Sequence, residues 1–323
     1  MYCLTWDIKI GKYSLKTLKE VKITTSVLNL SDTATITLPG KYLNAWVEIE
    51  DKVQVKDRVE IKLGYDDKNE TEFTGYVKRI SRDNNSLVIE CDDALCLLEK
   101  TLKNAEYKSI TLKDLLRKML EQVDPALKVE CDYDFTYDKM VIFHQTALDI
   151  LKKVHEDTKA NIWFEENTLH IHPCYQKPKG EVSIIYDTKV NVQSNELKWK
   201  KLSDKKISVE VIFVDNKGKR QSRVFGSKDG TKITKYVESS SESDLQKAAE
   251  SEYGVWNYEG FEGNLTGWLI PNTKAGDSIL LRDRDRKHEG IYYVTGVDIE
   301  FGQSGAKRKV SLGRKFVQKP TDN

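Results

Sequence analysis

One pattern of residues occurs twice in this chain, once near each end. Its first copy comprises residues 55–65, 73–80 and 86–91, and its second copy comprises residues 274–281, 291–297 and 309–312. Each copy predicts an alternating strand led by an aspartate, a hairpin, a strand that contains Tyr-Val, and a final strand. The duplication predicts two similar β-modules, which is typical of assembly rather than of chemistry.

A small set of residues carries this repeat. The set consists of Asp57, Gly64, Tyr65, Gly75, Tyr76 and Val77 in the first copy and of Gly276, Asp277, Tyr293 and Val294 in the second copy. A glycine precedes the aspartate in the second copy, whereas Lys56 precedes Asp57 in the first copy. The sequence therefore leaves the geometry of the first turn open.

The composition narrows the class of protein. The 323 residues suffice for two or more cores of ordinary domain size, and 39% of them are hydrophobic and 32% are charged. Lys and Arg number 52 against 51 Asp and Glu, so the net charge is +1. This balance argues against a chain-wide electrostatic footprint for nucleic acid, but it is compatible with a conduit through which DNA passes without specific binding.

The sequence also carries signals about the compartment. No apolar run reaches the ~18 residues that cross a bilayer, and residues 1–7 lack the basic and apolar pattern of a signal peptide. We therefore expect a protein without a membrane segment that is made and folded in a cytoplasm. The five cysteines are scattered and form no CxxC pair, so we expect reduced thiols rather than a disulfide framework.

The pattern of apolar residues changes along the chain and divides it into three predicted domains. The predicted boundaries are 1–100 for a first β domain, 101–180 for an α/β insert, 181–316 for a second β domain and 317–323 for a polar tail. One amphipathic stretch predicts a helix at about 241–254 inside the second β domain.

The predicted insert has a helical texture of its own. Apolar residues at helical spacing predict helices at 110–120 and 146–155, with Thr111 as a candidate N-cap of the first helix. A strand, a turn and a second strand over 161–171 predict a hairpin. These elements together predict a compact α/β module.

The order of these elements resembles the tail-hub family of contractile phages and related injection machines. That family includes late control protein D, Mu gp44-like hubs and the N-terminal part of type VI secretion spike proteins. The resemblance rests on residues 55–65 and 73–77 in the first module and on residues 267–271, 275–281 and 293–297 in the second module. The predicted helix ahead of the last β block also matches the family layout.

This resemblance implies an α+β, mainly β fold, in which two similar β-barrel-like tube domains flank a small α/β insert. It implies a homotrimer, whose pseudo-sixfold ring joins a sixfold tail tube to a threefold spike and serves as part of a conduit for DNA or effectors. Implied partners are further copies of the chain, a tail tube protein, a spike or tail-tip protein and baseplate components. The implied location is a virion tail or baseplate that is assembled in the host cytoplasm.

The segment His170-Ile-His172-Pro-Cys174 is the best metal candidate in the sequence. On a strand, His170 and His172 share one face, and Cys174 lies close beyond them. A tetrahedral site needs a fourth ligand, which the sequence does not place. The alternative is a hairpin strand with polar residues that face outward. This alternative is favoured, so we expect no cofactor.

Residues 282–289 form a charge run inside a predicted hairpin. Alternation places Arg282, Arg284 and Arg286 on one face of the strand and the intervening aspartates on the other face. A Ca²⁺ or phosphate site is one interpretation of this run. A solvated hairpin tip or a contact with a partner subunit is the interpretation that the pattern favours.

Catalytic patterns are weak throughout the chain. The pairs Asp92-Asp93 and Glu165-Glu166 are neighbours in sequence, whereas glycosidase carboxylates face each other across a cleft, roughly 5–9 Å apart. The nucleophile pattern Gly-x-Ser-x-Gly is absent from the sequence. We therefore expect no enzyme. The alternatives to a structural hub are a tail-associated peptidoglycan hydrolase and a carbohydrate-binding tail-tip protein.

Overall fold

The structure is a computed structural model of the chain. It describes residues 2–42, 45–46, 52–83, 85–165, 167–173, 182–201, 206–214, 218–283 and 288–316. Within these ranges the helices are a 3₁₀-helix (Ala94–Leu98), α1 (Leu112–Val123), α2 (Ala147–Thr158) and α3 (Glu242–Trp256). None of these helices has the length and apolar character that a membrane crossing requires.

Strands make up most of the regular structure, which confirms the prediction of a mainly β fold. Those that precede residue 173 are β1 (Leu4–Ile10), β2 (Tyr13–Ser14), β3 (Glu20–Ser26), β4 (Thr33–Pro39), β5 (Lys41–Tyr42), β6 (Ala45–Trp46), β7 (Arg58–Tyr65), β8 (Lys68–Asp83), β9 (Ser86–Asp92), β10 (Ala105–Tyr107), β11 (Ile110–Thr111), β12 (Lys128–Cys131), β13 (Thr136–Tyr137), β14 (Met140–Ile142), β15 (Asn161–Glu165) and β16 (Thr168–His172). Those that follow are β17 (Ile185–Asp187), β18 (Val192–Asn195), β19 (Lys198–Lys200), β20 (Ile207–Val214), β21 (Arg220–Gly226), β22 (Thr231–Tyr236), β23 (Gly260–Glu262), β24 (Asn264–Gly267), β25 (Ser278–Arg282), β26 (Gly290–Gly302) and β27 (Gly305–Phe316).

The chain divides into two compact units, and both are discontinuous in sequence. Unit 1 comprises Met1–Cys96, Lys177–Lys198 and Glu262–Asn323, and unit 2 comprises Leu97–Gln176 and Trp199–Phe261. The predicted domain boundaries follow the chain order, whereas unit 2 combines the predicted insert with a segment from the predicted second β domain. The predicted boundaries at 100, 180 and 316 concern modules in chain order and stay a prediction.

Unit 1 contains two groups of strands with the same order. The first group runs β1-β7-β8-β9-β4-β3, and the second group runs β17-β25-β26-β27-β24-β18. The pairs within the groups are antiparallel, with one exception: β17 runs parallel to β25, whereas β1 runs antiparallel to β7. The antiparallel pairing of β26 with β3 joins the two groups. Unit 1 is therefore built around one large sheet.

The expected barrel-like closure of each β-module needs a correction. The two end strands of the first group do not pair with each other. Instead, β3 pairs with β26 and β1 pairs with β2. Among the described strands, no pair closes either group into a barrel. The physical reason is that β26 of the second group takes up the backbone hydrogen bonds at the free edge of β3, so the sheet continues instead of closing.

Alternation of apolar residues builds the core of unit 1. Strand β4 buries Ala34, Ile36 and Leu38, and β7 buries Val59 and Ile61. Period-two burial fixes the register, because a slip by one residue would turn every apolar side chain outward.

Two helices pack in unit 2 with caps that their sequences supply. Thr111 Oγ1 accepts a hydrogen bond from Asp114 N at the start of α1, as predicted. Thr146 forms a capping box with Asp149 at the start of α2. Each helix buries one apolar face, and nearby β12 pairs in parallel with β16, which also pairs with β15.

A second layer of unit 2 consists of α3 against the sheet β21-β20-β22. The small side chains of Ala248 and Ala249 are buried on α3, together with Leu245. They pack with apolar residues of β20, of which Val209 and Val211 are fully buried. Ser241 caps α3, so the helix predicted at about 241–254 is confirmed with an end two residues later.

Candidate functional site

The first copy of the repeated pattern forms a tight turn before β7. The carboxylate of Asp57 accepts a hydrogen bond from Gln54 N at 2.8 Å, and Asp57 N donates to Gln54 O at 3.1 Å. Lys56 N then donates to Val77 O at 2.8 Å, and Val77 N donates to Asp57 O at 2.9 Å. Two of these bonds close the turn, and the other two tie it to the Tyr-Val strand β8.

The second copy forms the same four hydrogen bonds. The carboxylate of Asp277 accepts from Lys274 N at 2.7 Å, and Asp277 N donates to Lys274 O at 3.2 Å. Gly276 N donates to Val294 O at 2.9 Å, and Val294 N donates to Asp277 O at 2.9 Å. The two turns therefore agree donor by donor.

The backbone of both turns is left-handed at the residue before the aspartate. Its φ is 75° at Lys56 and 94° at Gly276. A lysine in this region is strained, because its Cβ approaches the following carbonyl oxygen, whereas glycine is not. The sequence left the geometry of the turn at Lys56 open. Its backbone has the same form as that of the turn at Gly276.

Strand register continues the match beyond the turns. Arg58 pairs with Tyr76 in the first copy, and Ser278 pairs with Tyr293 in the second copy. In both copies, an irregularity follows the valine, after Val77 against β9 and after Val294 against β27. A bulge after the valine bends both strands at the equivalent place, and β26 has a further irregularity before Val294.

Two glycines of the first copy are required by close backbone approach. A Cβ at Gly64 would lie 2.0 Å from Lys68 O, and a Cβ at Gly75 would lie 2.2 Å from Asp92 O. Tyr65, which follows the first of them, accepts a hydrogen bond from Leu269 N at 3.4 Å. The first copy thereby contacts a segment that precedes the second copy.

A buried ion pair that was not among the predicted features also links the two groups of strands. Arg308 Nη2 donates to Glu72 Oε1 at 2.5 Å, and the side chains are only 1% and 4% exposed. Arg308 also donates to Leu269 O at 2.9 Å and to Thr273 O at 2.8 Å. Burial raises the pKa of Glu72, and the guanidinium offsets part of this effect.

One signal in the sequence pointed to this pair. Ala306, Arg308, Val310 and Leu312 alternate on one face of β27, and the three apolar members are buried. An arginine at an inward position needs a partner, because a lone buried charge is costly. The partner itself, 236 residues away, carries no local signal.

Only part of the predicted arginine run falls within the described residues. Arg282 ends β25 and is exposed, and its carbonyl oxygen accepts a hydrogen bond from Thr188 N at 3.1 Å. Arg284 and Arg286 lie outside the described residues. A contact between this run and a partner subunit stays a prediction.

The predicted histidine pair lies in unit 2 on β16. The rings of His170 and His172 are on the same face, with centroids 5.7 Å apart. Glu130 of the neighbouring β12 brings a carboxylate, and one ligand atom from each of the three residues lies within 4.8 Å of the others. Glu130 was not among the predicted ligands, because a parallel pair of distant strands leaves no periodic signal in the sequence. Cys174 lies outside the described residues.

The adjacent acids Asp92 and Asp93 have separate structural contacts. Asp92 pairs with Lys78 at 2.8 Å. Asp93 accepts hydrogen bonds from Leu95 N at 3.0 Å and from Asp32 N at 2.9 Å, so it holds the start of the 3₁₀-helix. Burial raises the pKa of Asp93 to about 6 and that of Asp32 to about 7.

A cluster of titratable groups in unit 2 borders a depression of about 280 Å³. Lys235 donates to Asp157 O at 3.1 Å, to Glu252 at 3.3 Å and to Glu156 O. Burial lowers the pKa of Lys235 and raises that of Asp157. Three acceptors use the three protons of the ammonium, so these contacts give the lysine a structural role.

Comparisons in sequence find no relatives. No protein-family model matches the chain. No curated protein matches it either.

Comparison of structures finds similar folds over nearly the whole chain. A tail protein from Neisseria meningitidis MC58 is 15% identical with a TM-score of 0.72, and the match covers 96% of each chain. The 43 kDa tail protein of prophage MuSo2 from Shewanella oneidensis is 16% identical with a TM-score of 0.68, covering 97% of this chain and 98% of that chain.

A third similar structure comes from a secretion system. The E. coli c3393 protein, a component of the type VI secretion system, is 9% identical with a TM-score of 0.61, covering 96% of this chain and 77% of that chain. At such identities the similarity concerns the fold. The chain has the fold of phage and prophage tail proteins, and the resemblance predicted from its sequence is confirmed at that level.

Proposed function

We propose that this protein is a structural hub of a phage-type tail or baseplate, and that it acts as a homotrimer. Three chains, each with two similar β-modules, form a pseudo-sixfold ring. One face of the ring matches a sixfold tail tube, and the other face matches a threefold spike or tail-tip protein. The fold shared with tail proteins supports this assignment, and the similarity to the type VI component supports a role in an injection machine.

The single observation that carries the proposal is the agreement of the two turns. Four hydrogen bonds recur donor by donor around Asp57 and Asp277, followed by the same strand pairing and a bulge at the same place. A stable core alone does not require one turn to have the same hydrogen bonds as another turn more than 200 residues away. Two equivalent modules per chain let three chains present six equivalent positions.

The sheet of unit 1 suits a ring rather than a free monomer. Among the described strands of unit 1, β2, β17 and β18 each pair on one side only, and all three are short. Short edge strands limit unwanted pairing, and a closed ring covers the edges that remain. The buried contact between Glu72 and Arg308 connects the two groups of strands.

The proposed ring has an electrostatic property that fits a conduit. A net charge of +1 over 323 residues gives no broad attraction for phosphate, so nucleic acid would pass without tight binding. Baseplate components would dock on the outside. The proposed location is the tail or baseplate, and the proposed site of assembly is the host cytoplasm.

The mass of the protein in solution tests the trimer. Light scattering coupled to size exclusion should give three times the chain mass of 37.2 kDa for the protein alone, and a larger mass that corresponds to three chains plus bound tube subunits after mixing with a tail tube protein. Electron microscopy of the mixed sample should show a ring with six similar densities in its inner layer. A monomer that stays monomeric at high concentration and with the tube protein present would contradict the proposal.

A further inference from the structure

We infer that unit 2 contains a binding site for one divalent transition-metal ion, with Glu130, His170 and His172 as its protein ligands. Imidazole and carboxylate together suit zinc and its neighbours in the first transition row. The inference rests on this side-chain cluster alone. It does not depend on the trimer or on the proposed role in a tail.

The backbone places these three residues side by side. Alternation along β16 turns Leu169 and Ile171 into the core, where both are fully buried, and turns the two histidines to the other face. Strand β12 lies parallel to β16, with Glu130 directly opposite His170. Two strands therefore supply all three ligands, and rigid elements hold metal ligands better than loops do.

Trp163 fixes the orientation of both imidazoles. It pairs with His170 across β15 and β16, and the two rings are stacked with centroids 5.1 Å apart and planes 13° apart. Its ring also lies 5.2 Å from that of His172. The histidine side chains are 13% and 16% exposed, whereas that of Glu130 is 60% exposed. The site is thus ordered on its inner side and open to an ion from solvent.

An outer carboxylate completes the pattern expected around a metal-bound histidine. Asp132 Oδ2 lies 2.6 Å from His172 Nδ1. A hydrogen bond from Nδ1 to a carboxylate selects the tautomer in which Nε2 is the metal ligand, and it increases the basicity of the ring. Asp132 is therefore assigned as a positioning residue.

The geometry needs only a small adjustment to close around an ion. Bonds of about 2.0–2.2 Å hold tetrahedral ligand atoms about 3.3–3.5 Å apart. The ligand atoms here lie within 4.8 Å of one another, and the exposed carboxylate of Glu130 is the group best able to move. Two imidazoles and one carboxylate leave a fourth position for water or for a donor from another molecule.

Calorimetric titration of the purified full chain with ZnCl₂ tests the site. We expect one ion per chain. Glu130→Gln should weaken binding at least tenfold, and the double variant His170→Asn/His172→Asn should abolish it. Asp132→Asn should weaken binding about 10–100-fold through its effect on His172. His144→Asn is the matched control, since His144 is exposed and belongs to another part of unit 2, and it should bind like the wild type.

A spectroscopic measurement locates the ion independently of affinity. Ni²⁺ should quench part of the tryptophan fluorescence, and Trp163→Phe should remove that quenching while Zn²⁺ binding persists. Glu130→Gln changes an exposed side chain, so it keeps the test valid if the histidine variants do not fold. Absence of stoichiometric Zn²⁺ binding would overturn the inference. Binding that survives in the folded double histidine variant, or that is lost in His144→Asn, would overturn it equally.

Discussion

Arg308 and Glu72 form an almost fully buried ion pair between residues that are 236 positions apart in sequence. Glu72 belongs to β8 in the first group of strands, and Arg308 belongs to β27 in the second group. The guanidinium also holds the carbonyl oxygens of Leu269 and Thr273. One arginine therefore connects both copies of the repeat with the segment that leads into the second copy.

Removal of one partner of this pair should be strongly destabilising. Arg308→Met leaves a buried carboxylate and two carbonyl oxygens without their donor, and we expect the free energy of unfolding to fall by about 3–5 kcal/mol. The double variant Arg308→Met/Glu72→Leu should recover much of this loss, because it removes both charges. Urea-induced unfolding of the wild type and variants measures the coupling.

The exposed pair of Arg79 and Glu90 provides the control for that experiment. Its N–O distance of 2.6 Å is similar to that of the buried pair, but the two side chains are 66% and 33% exposed. Solvent screens such a contact, so Arg79→Met should leave the unfolding midpoint nearly unchanged. Equal effects of Arg79→Met and Arg308→Met would show that burial does not determine the strength of the buried pair.

Local features of the fold could be predicted from the sequence. Thr111 caps α1 as predicted, and α3 lies where the amphipathic stretch predicted a helix, because each signal depends on residues close in sequence. The hairpin of β15 and β16 lies within the predicted range 161–171 to within one residue. These elements form wherever the tertiary structure does not oppose their short-range preferences.

Long-range pairings could not be predicted in the same way. The parallel pair of β12 and β16 puts Glu130 beside His170, and nothing within either strand selects the other. The same limit applies to β26, which pairs with β3 rather than closing its own group. Such contacts depend on which surfaces meet after the local elements form, and periodicity carries no information about that choice.

Lys56 should be a site at which glycine stabilises the protein. Its φ of 75° strains a lysine, whereas the equivalent residue Gly276 has φ 94° without strain. We expect Lys56→Gly to raise the free energy of unfolding by about 0.5–1 kcal/mol, since relief of strain outweighs the added freedom of the unfolded chain. The reciprocal variant Gly276→Lys should lower it by about 1 kcal/mol or more. Thermal unfolding measures both changes. If both variants shift the unfolding midpoint in the same direction, the two turns are not equivalent.

Gly64 should tolerate no side chain. A Cβ there would lie 2.0 Å from Lys68 O, and the opposing atom is backbone that cannot swing away. We expect Gly64→Ala to lower the free energy of unfolding by about 3 kcal/mol, because the hairpin of β7 and β8 must distort. Arg58→Ala, in the same strand, should cost about 0.5 kcal/mol or less, because Arg58 is exposed. Chemical denaturation of both variants makes the comparison.

Asp32 and Asp93 should make the protein less stable as the pH rises from about 4 to about 7. Burial raises their pKa values from 3.8 to about 7 and about 6, respectively. Between pH 4 and 7 the folded state therefore holds protons that the unfolded chain has released, so unfolding is favoured progressively as the pH rises. Below about pH 4 both states are protonated, and the contribution of these two groups is constant.

A variant isolates this effect from the other acids of the chain. Asp32→Asn keeps an acceptor for Ser26 N, which donates to the Asp32 carboxylate at 3.0 Å, but it removes the titration. The free energy of unfolding of Asp32→Asn should therefore exceed that of the wild type by an amount that grows between pH 4 and pH 7, by up to about 1.4 kcal/mol per pH unit. Asp7→Asn, at the exposed pair with Lys9, is the control and should leave the pH profile parallel to that of the wild type. A wild-type profile that is also parallel to that of Asp32→Asn would mean that Asp32 ionises in the folded state as it does in the unfolded chain.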